Sequence, residues 1–382
     1  MNKLEKLIAQ LCPNGVEYKK IKDVYKRLKG TPITAAKMKE IENPDGEIKI
    51  FAGGKTVIDA AEDDIPNANI TRVPAVLVQS RGVIDAIYYD KPFTFKNEMW
   101  AYTADEKLSV KFLYYVLKNN MEYFRTAASG MGSMPQISLS VTEEFTIPLP
   151  PLPVQREIVR ILDNFTELTA ELTAELTAEL TARRKQYEYY RDALLTASDN
   201  IEYQTLPEIS ENLDCQRKPV TKGNREAGEY PYYGASGIVD YVSDYIFDGD
   251  YLLVSEDGAN LLARSTPIAF SISGKNWVNN HAHVLKFDTA IMQKYVEIYL
   301  NSIDLSKYIS GGAQPKLNQD NLNKIPIPVP PFNKVKIIVA ILEKFSALCN
   351  DLTSGLPAEI EARKKQYEYY RDKLLTFQEA KI

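Results

Sequence analysis

At 382 residues, with 45% apolar side chains, the chain is long enough for two domains and apolar enough to give each a core. No apolar run approaches the roughly 20 residues of a bilayer crossing, and MNKLEKLIAQ is charged too early for a secretory leader, so a soluble, cytoplasmic protein is expected. Three scattered cysteines (Cys12, Cys215, Cys349) exclude a disulfide framework or zinc ribbon, and a net charge of −5 counts against a free-standing nucleic-acid binder.

Residues 1–150 open with the helical MNKLEKLIAQL, expected to lie near the C-terminal end of the chain. They continue through the β-rich runs VPAVLVQS and GVIDAIYY into the helical KFLYYVLKNNMEYF, the pattern of an α/β domain. In 151–198, Pro151 and Pro153 make a stiff step into a stretch without glycine or proline, Val154 to about Thr196. Ala, Glu, Leu, Arg and Gln dominate it, which predicts one helix of about 43 residues, on the order of 65 Å long. Inside it, TAELTAELTAELTA (169–182) sets Leu172, Leu176 and Leu180 at i, i+4 after Leu168, an apolar stripe flanked by Glu171, Glu175 and Glu179. A helix so long needs a partner along its length. Residues 199–330 form a second α/β domain, with YLLVSEDG, HAHVLKF and QKYVEIYLNSI, and 331–382 a second helical segment that Gly355 and Pro357 should break or kink.

The chain is written twice. IPLPPLPVQREIVRILDNF (147–165) aligns with IPVPPFNKVKIIVAILEKF (327–345), and RKQYEYYRDALLT (184–196) with KKQYEYYRDKLLT (364–376), both at an offset of 180. Pro135 in SGMGSMPQIS and Pro315 in SGGAQPKLN keep that offset, and VEYKKI (16–21) and IEYQTL (201–206) open the two halves. The domains themselves are much less alike. Similar scaffolds carry dissimilar heads, and the second helical copy is the expected partner of the first.

Two variable domains alternating with helices that open after IPxPP and close in KQYEYYRD-LLT resemble the specificity subunit of type I restriction-modification enzymes, of the kind with TAEL spacer repeats. The resemblance implies an α/β fold class with two target recognition domains separated by two long antiparallel helices, a coiled-coil spacer with pseudo-twofold internal repeat. It implies that 1–150 and 199–330 each read one half of a bipartite double-stranded DNA target. The helices would set the gap and dock two methylation subunits, which restriction/translocase subunits then join. The KQYEYYRD ends, with Tyr187, Tyr190, Arg191, Tyr367, Tyr370 and Arg371, would belong to the subunit interface. S-adenosylmethionine, ATP and Mg are expected on the partner subunits and no cofactor on this chain. One added TAEL unit would lengthen the helix by about 6 Å, between one and two base pairs of DNA at about 3.4 Å each.

Catalytic signatures are missing from the sequence. Asn43-Pro44-Asp45-Gly46 reads as a turn rather than a methylation motif, and AGGKT (52–56) lacks the upstream glycine of a phosphate loop. His281 and His283 have too few companions for a metal site and fit one face of a strand. The alternative is a two-headed scaffold for partners other than nucleic acid.

Residues 1–150 carry 20 basic and 19 acidic side chains, whereas 201–330 carry 11 and 16, yet the basic residues cluster. KKIKDVYKRLKG and AAKMK place Lys20, Lys26, Arg27, Lys29, Lys37 and Lys39 as phosphate contacts. CQRKPVTKGNRE places Arg217, Lys218, Lys222 and Arg225 similarly in the second half; in both halves an ordinary solvated face is the competing reading. The turn Gln79-Ser80-Arg81-Gly82 offers Gln79 and Arg81 as readers of base edges, and Ser255 to Asn260 occupies the matching place.

Overall fold

In a computed structural model, residues 3–54, 56–128, 134–196, 201–311, 314–350 and 354–380 are described. Packing gathers the four predicted segments into two units: Met1–Glu175 with Ile360–Ile382, and Leu176–Glu359.

In unit 1, helix α1 (Lys3–Leu11) precedes strand β1 (Glu17–Lys20) and the short β2 (Lys26–Leu28). Strands β3 (Ile48–Phe51) and β4 (Val57–Ala60) form a hairpin, followed by β5 (Ala75–Gln79), β6 (Asp85–Tyr89), β7 (Phe93–Phe95) and β8 (Trp100–Thr103). Helix α2 (Lys107–Asn119) and β9 (Thr146–Leu149) complete the head. One sheet has the order β2-β8-β5-β6 and is antiparallel; the other, β4-β3-β7, contains a parallel β3–β7 pair. The apolar run AVLVQ is explained by burial on both faces of β5: Val76 and Val78 enter the core under α2, Ala75 and Leu77 the core shared with Phe93 and Phe95. At the base, β1 pairs antiparallel with β9, so the strand that enters the head lies beside the one that leaves it.

Unit 2 repeats this plan. Strand β10 (Glu202–Gln204) is followed by β11 (Glu211–Asn212), β12 (Ala227–Gly234), β13 (Gly237–Val242), β14 (Phe247–Asp248) and β15 (Tyr251–Ser255). Then come β16 (Ala269–Ile272), β17 (Lys275–Val278), β18 (Ala282–Lys286) and β19 (Ile327–Val329). Its sheets run β11-β18-β15-β16 and β13-β12-β17-β14, again with one parallel pair, β12–β17, and β10 pairs with β19 as β1 does with β9. In β15, Leu252 and Val254 face one core, Tyr251 and Leu253 the other. The two heads share a topology that their sequences hide.

The predicted long helix, α3, runs unbroken from Leu152 to Thr196, 45 residues. Its first turns bury Val154, Ile158, Val159 and Leu162 in unit 1, and its last buries Leu195 in unit 2. The middle turns are solvated, with Leu172, Leu176 and Leu180 half-buried. Helix α4 (Ala290–Ser302) covers the unit 2 sheet. The second spacer is two helices: α5 (Phe332–Asn350) and α6 (Leu356–Leu375), with Pro357 in the first turn of α6, where its missing N–H costs nothing. Gly355 and Pro357 therefore break the rod.

Within unit 1 the start of α3 runs antiparallel to α6, with Phe165 against Tyr370 at 5.8 Å between ring centroids and the Thr166 and Tyr367 hydroxyls 3.0 Å apart. Within unit 2 the end of α3 meets α5, with Tyr190 against Phe345, also at 5.8 Å. Subtracting 180 from Phe345 and adding it to Tyr190 turns one contact into the other. Helix α1 lies against α3 and the tail after α6, as expected: Leu4, Ile8, Ile161, Leu374 and Phe377 surround a cavity of about 520 Å³. The Val16 N–H donates to Gln378 O at 2.9 Å and the Ala380 N–H to Val16 O at 2.9 Å.

Candidate nucleic-acid interface

At one end of the unit 1 sheet, turns from three parts of the chain are laced together by backbone. The Gly82 N–H donates to Pro135 O (2.8 Å) and the Ile137 N–H to Ser80 O (2.9 Å), which makes Arg81 and Gln136 an antiparallel crossing. The Gly54 N–H donates to Arg81 O at 3.2 Å, and Gly54 sits at φ +76°, a turn conformation that suits glycine. AGGKT thus holds a hairpin turn, closed by Ala52 N–H to Thr56 O at 2.9 Å. Asn43 likewise accepts from Gly46 in the turn expected there.

Unit 2 builds the same frame. The Gly258 N–H donates to Pro315 O (3.1 Å) and the Leu317 N–H to Glu256 O (2.7 Å), so Asp257 crosses Lys316 as Arg81 crosses Gln136. Sheet register agrees: Val78 pairs with Trp100 where Val254 pairs with His283. Two residues before each partner stand Glu98 and His281.

Several predicted contact residues belong to the frame itself. Gln79 is buried, and its amide donates to Gly54 O at 2.8 Å; Ser255, in the equivalent place, donates to Ala235 O. Gln79 is a latch on the hairpin turn, not an exposed reader, a correction to the sequence expectation. Arg217 is also corrected. Its guanidinium reaches Glu256 (2.7 Å), Asp214 (3.2 Å) and Ala282 O (2.8 Å), with the side chain 13% exposed. Arg225 lies 4.3 Å from the Tyr232 ring centre and pairs with Asp240 at 3.1 Å, which likewise commits it to the fold.

The Asp214–Glu256–His283 group has ligand atoms within 4.8 Å of one another, but each is engaged. His283 bonds Asp214 through Nδ1 (2.6 Å) and Leu317 O through Nε2 (2.8 Å), while Lys316 reaches Glu256 at 3.1 Å. Burial by itself would raise the Asp214 carboxyl, but the bond to His283 and its charge outweigh it and hold the group below its usual range. Glu256 is held low in the same way, against burial, by Arg217, His283 and Lys316. Arg217 and Lys316 balance the two carboxylates, so this cluster is an ion-pair network that fastens the turn at Leu317 to the sheet.

The remaining basic candidates are on the surface. Lys20 pairs with Glu144 at 2.7 Å, Arg27 with Glu143 at 3.3 Å and Lys37 with Glu40 at 2.8 Å. Lys20 and Lys22 bring the Glu144 carboxyl down to about 2. Lys26, Lys29, Lys39, Lys218 and Lys222 make no ion pair among the described residues, and neither does the exposed Arg81. Lys29 and Arg27 line a polar hollow with Asn97 and Trp100.

Two copies of one frame meet two copies of one family domain. The family of type I restriction modification DNA specificity domains matches residues 13–182 and 198–362. This chain belongs to that family. The specificity subunit of the Escherichia coli enzymes EcoR124I/EcoR124II is 35% identical over 299 residues, 72% of each chain. That of the Mycoplasma pneumoniae enzyme MpnII is 31% identical, over 64% of this chain and 92% of its own. A protein of Haemophilus influenzae named for the same role is 34% identical over 199 residues, so the match spans about half of each chain. Among solved structures, one from work on assembly and conformational transition of the type I R-M system superposes with a TM-score of 0.65 at 14% identity, covering 95% of this chain and 98% of that one. The HsdS subunit from Thermoanaerobacter tengcongensis gives 0.52 at 14%, covering 95% and 97%. Both show a shared fold.

In this specificity-family chain the KQYEYYRD tyrosines divide by face. Tyr187 and Tyr367 turn toward the helix pairs, each beneath its own Arg191 or Arg371, 5.8 and 5.5 Å from the ring centre. Arg371 also donates to Asn119 at 3.0 Å. Tyr190 and Tyr370 are 40% exposed, whereas Tyr189 and Tyr369, within the same KQYEYYRD ends, are 70% and 62% exposed and are the freer interface candidates. The sequence pointed to neither Gln136 nor Lys316 as a contact and gave His281 only a place on a strand, although the matched Pro135 and Pro315 marked the loops that carry the first two.

Proposed function

We propose that this chain selects the DNA target of a type I restriction-modification complex. Each head reads one half of a split duplex sequence, α3 sets the gap, and the helix faces with Tyr189 and Tyr369 receive methylation subunits. Those partners carry the S-adenosylmethionine chemistry, and translocating restriction subunits carry ATP and Mg; this chain supplies recognition and spacing and no catalysis of its own. Family membership supports the reading. The observation that carries it is the repeated loop frame, Arg81 crossing Gln136 and Asp257 crossing Lys316, on heads whose side chains differ. A structural duplicate with changed chemistry suits two readers of two different half-sites.

Among the described residues no helix is long and apolar enough to cross a membrane. The modest basic excess of the first half fits weak DNA binding by this chain alone, strengthened when methylation subunits complete a positive clamp.

The decisive experiment inserts one TAEL unit into α3 and maps methylated adenines in host DNA by single-molecule sequencing. Both half-sites should persist while the gap widens by one or two base pairs, because four helical residues add about 6 Å. A changed half-site sequence, or an unchanged gap, contradicts the spacer role.

A further inference from the structure

The two crossings share backbone but invert charge. In unit 1 the exposed position carries a cation, Arg81, and the position behind it an acid, Glu98. In unit 2 the equivalent places hold a half-buried acid, Asp257, and an exposed base, His281, whose Nδ1 lies 2.8 Å from the Asp257 carboxylate. Glu98 is tied inward, accepting from Gly53 N–H (3.0 Å) and pairing with Lys96 (2.8 Å), which leaves the Arg81 side chain pointing out with no hydrogen bond among the described residues. Across each crossing stands a second exposed polar side chain, Gln136 or Lys316. The frame holds these positions rigidly in both heads through the latches from Gln79 and Ser255.

We infer that positions 81 and 257 are the specificity-determining pair, and that their opposite chemistry makes the heads choose opposite partners on the base edge; this rests on the proposed function. A guanidinium only donates, and its fork matches the two acceptors O6 and N7 of guanine. A carboxylate only accepts, and of the two major-groove amines, on adenine and cytosine, cytosine's suits it better because adenine's stands beside the N7 acceptor, which repels a second acceptor. Unit 1 therefore specifies guanine at the base pair facing Arg81. Unit 2 specifies cytosine at the pair facing Asp257, with His281 fixing the carboxylate. Lys26, Lys29 and Lys39 remain contacts to phosphate, blind to sequence.

The test presents randomised duplex DNA to the full chain assembled with its methylation subunits, then sequences what is retained. Arg81→Gln should weaken the preference for guanine at one base pair of one half-site, between about fivefold and a hundredfold, and leave the gap and the other half-site unchanged. Asp257→Asn should act only on the other half-site. If an Arg81 variant fails to fold, the exposed Gln136→Ala must still shift the same half-site, and Lys316→Ala the one read by Asp257. Unchanged preferences in Arg81→Gln and Asp257→Asn, or a loss uniform over all sequences, would overturn the inference while a split target still selected by the wild type upholds the function. A wild-type complex that selects no split target would overturn both.

Discussion

Replacing Arg217 by alanine separates a structural role from a DNA contact. The guanidinium bridges Glu256 and Asp214, carboxylates only 12% and 7% exposed, and also donates to two backbone carbonyls. Its removal leaves two buried carboxylates with Lys316, His283 and the Val284 N–H as their remaining partners. Breaking a buried pair from one side costs about 3–5 kcal/mol, and in a domain of this size each kcal/mol lowers Tm by roughly 2–4 °C. Arg217→Ala should therefore lower the calorimetric transition of unit 2 by between roughly 6 and 20 °C. The exposed Arg27, paired with Glu143 at 3.3 Å, provides the comparison: Arg27→Ala should cost at most about 1 kcal/mol. If Arg217 instead served a phosphate, melting would stay within about 2 °C and the slope of log affinity against log salt would fall by about one. That result would refute the assignment of this network to stability.

Two further perturbations follow from local geometry. Gly15 sits at φ +95°, and a Cβ there would lie 2.5 Å from Gln378 O, so Gly15→Ala should prise the tail from Val16. Faster hydrogen exchange at Val16 and Ala380, with a loss of at least about 1 kcal/mol, is the expected readout. Burial pushes the Tyr25 and Tyr102 hydroxyls up to about 12, only partly offset by their bonds to Ser109 and Thr142. For an acid whose folded value is raised, the contribution to stability is full below its unfolded value, about 10, and is lost as pH rises through the folded one. Tyrosinate absorbance should thus show these two rings silent until about pH 12 or until the protein unfolds.

The long helix, its interruption at Gly355 and the pairing of the two copies were legible because each depends on local composition and on a repeat with fixed offset. The common topology of the heads was not. Strands such as AVLVQ and YLLVS are buried on both faces, so their apolar runs carry no period to show which neighbour they pair with. Basic clusters misled for a related reason. Arg217 and Lys218 are adjacent in sequence, yet one lies in a buried network and the other on the surface; the distant partner Glu256, which the sheet brings up to Arg217, distinguishes them. Gln79 and Arg81 alternate across one turn, and the hydrogen bond to Gly54 that withdraws Gln79 comes from a hairpin 25 residues earlier.

Unit 2 is one uninterrupted stretch of chain, Leu176–Glu359, whereas unit 1 is assembled from Met1–Glu175 and the closing Ile360–Ile382. A ribosome therefore releases everything unit 2 needs before it has made the helix that packs against Phe165. Until then the first head must wait with one side of α3 uncovered. The part of the molecule that emerges first is the last able to finish.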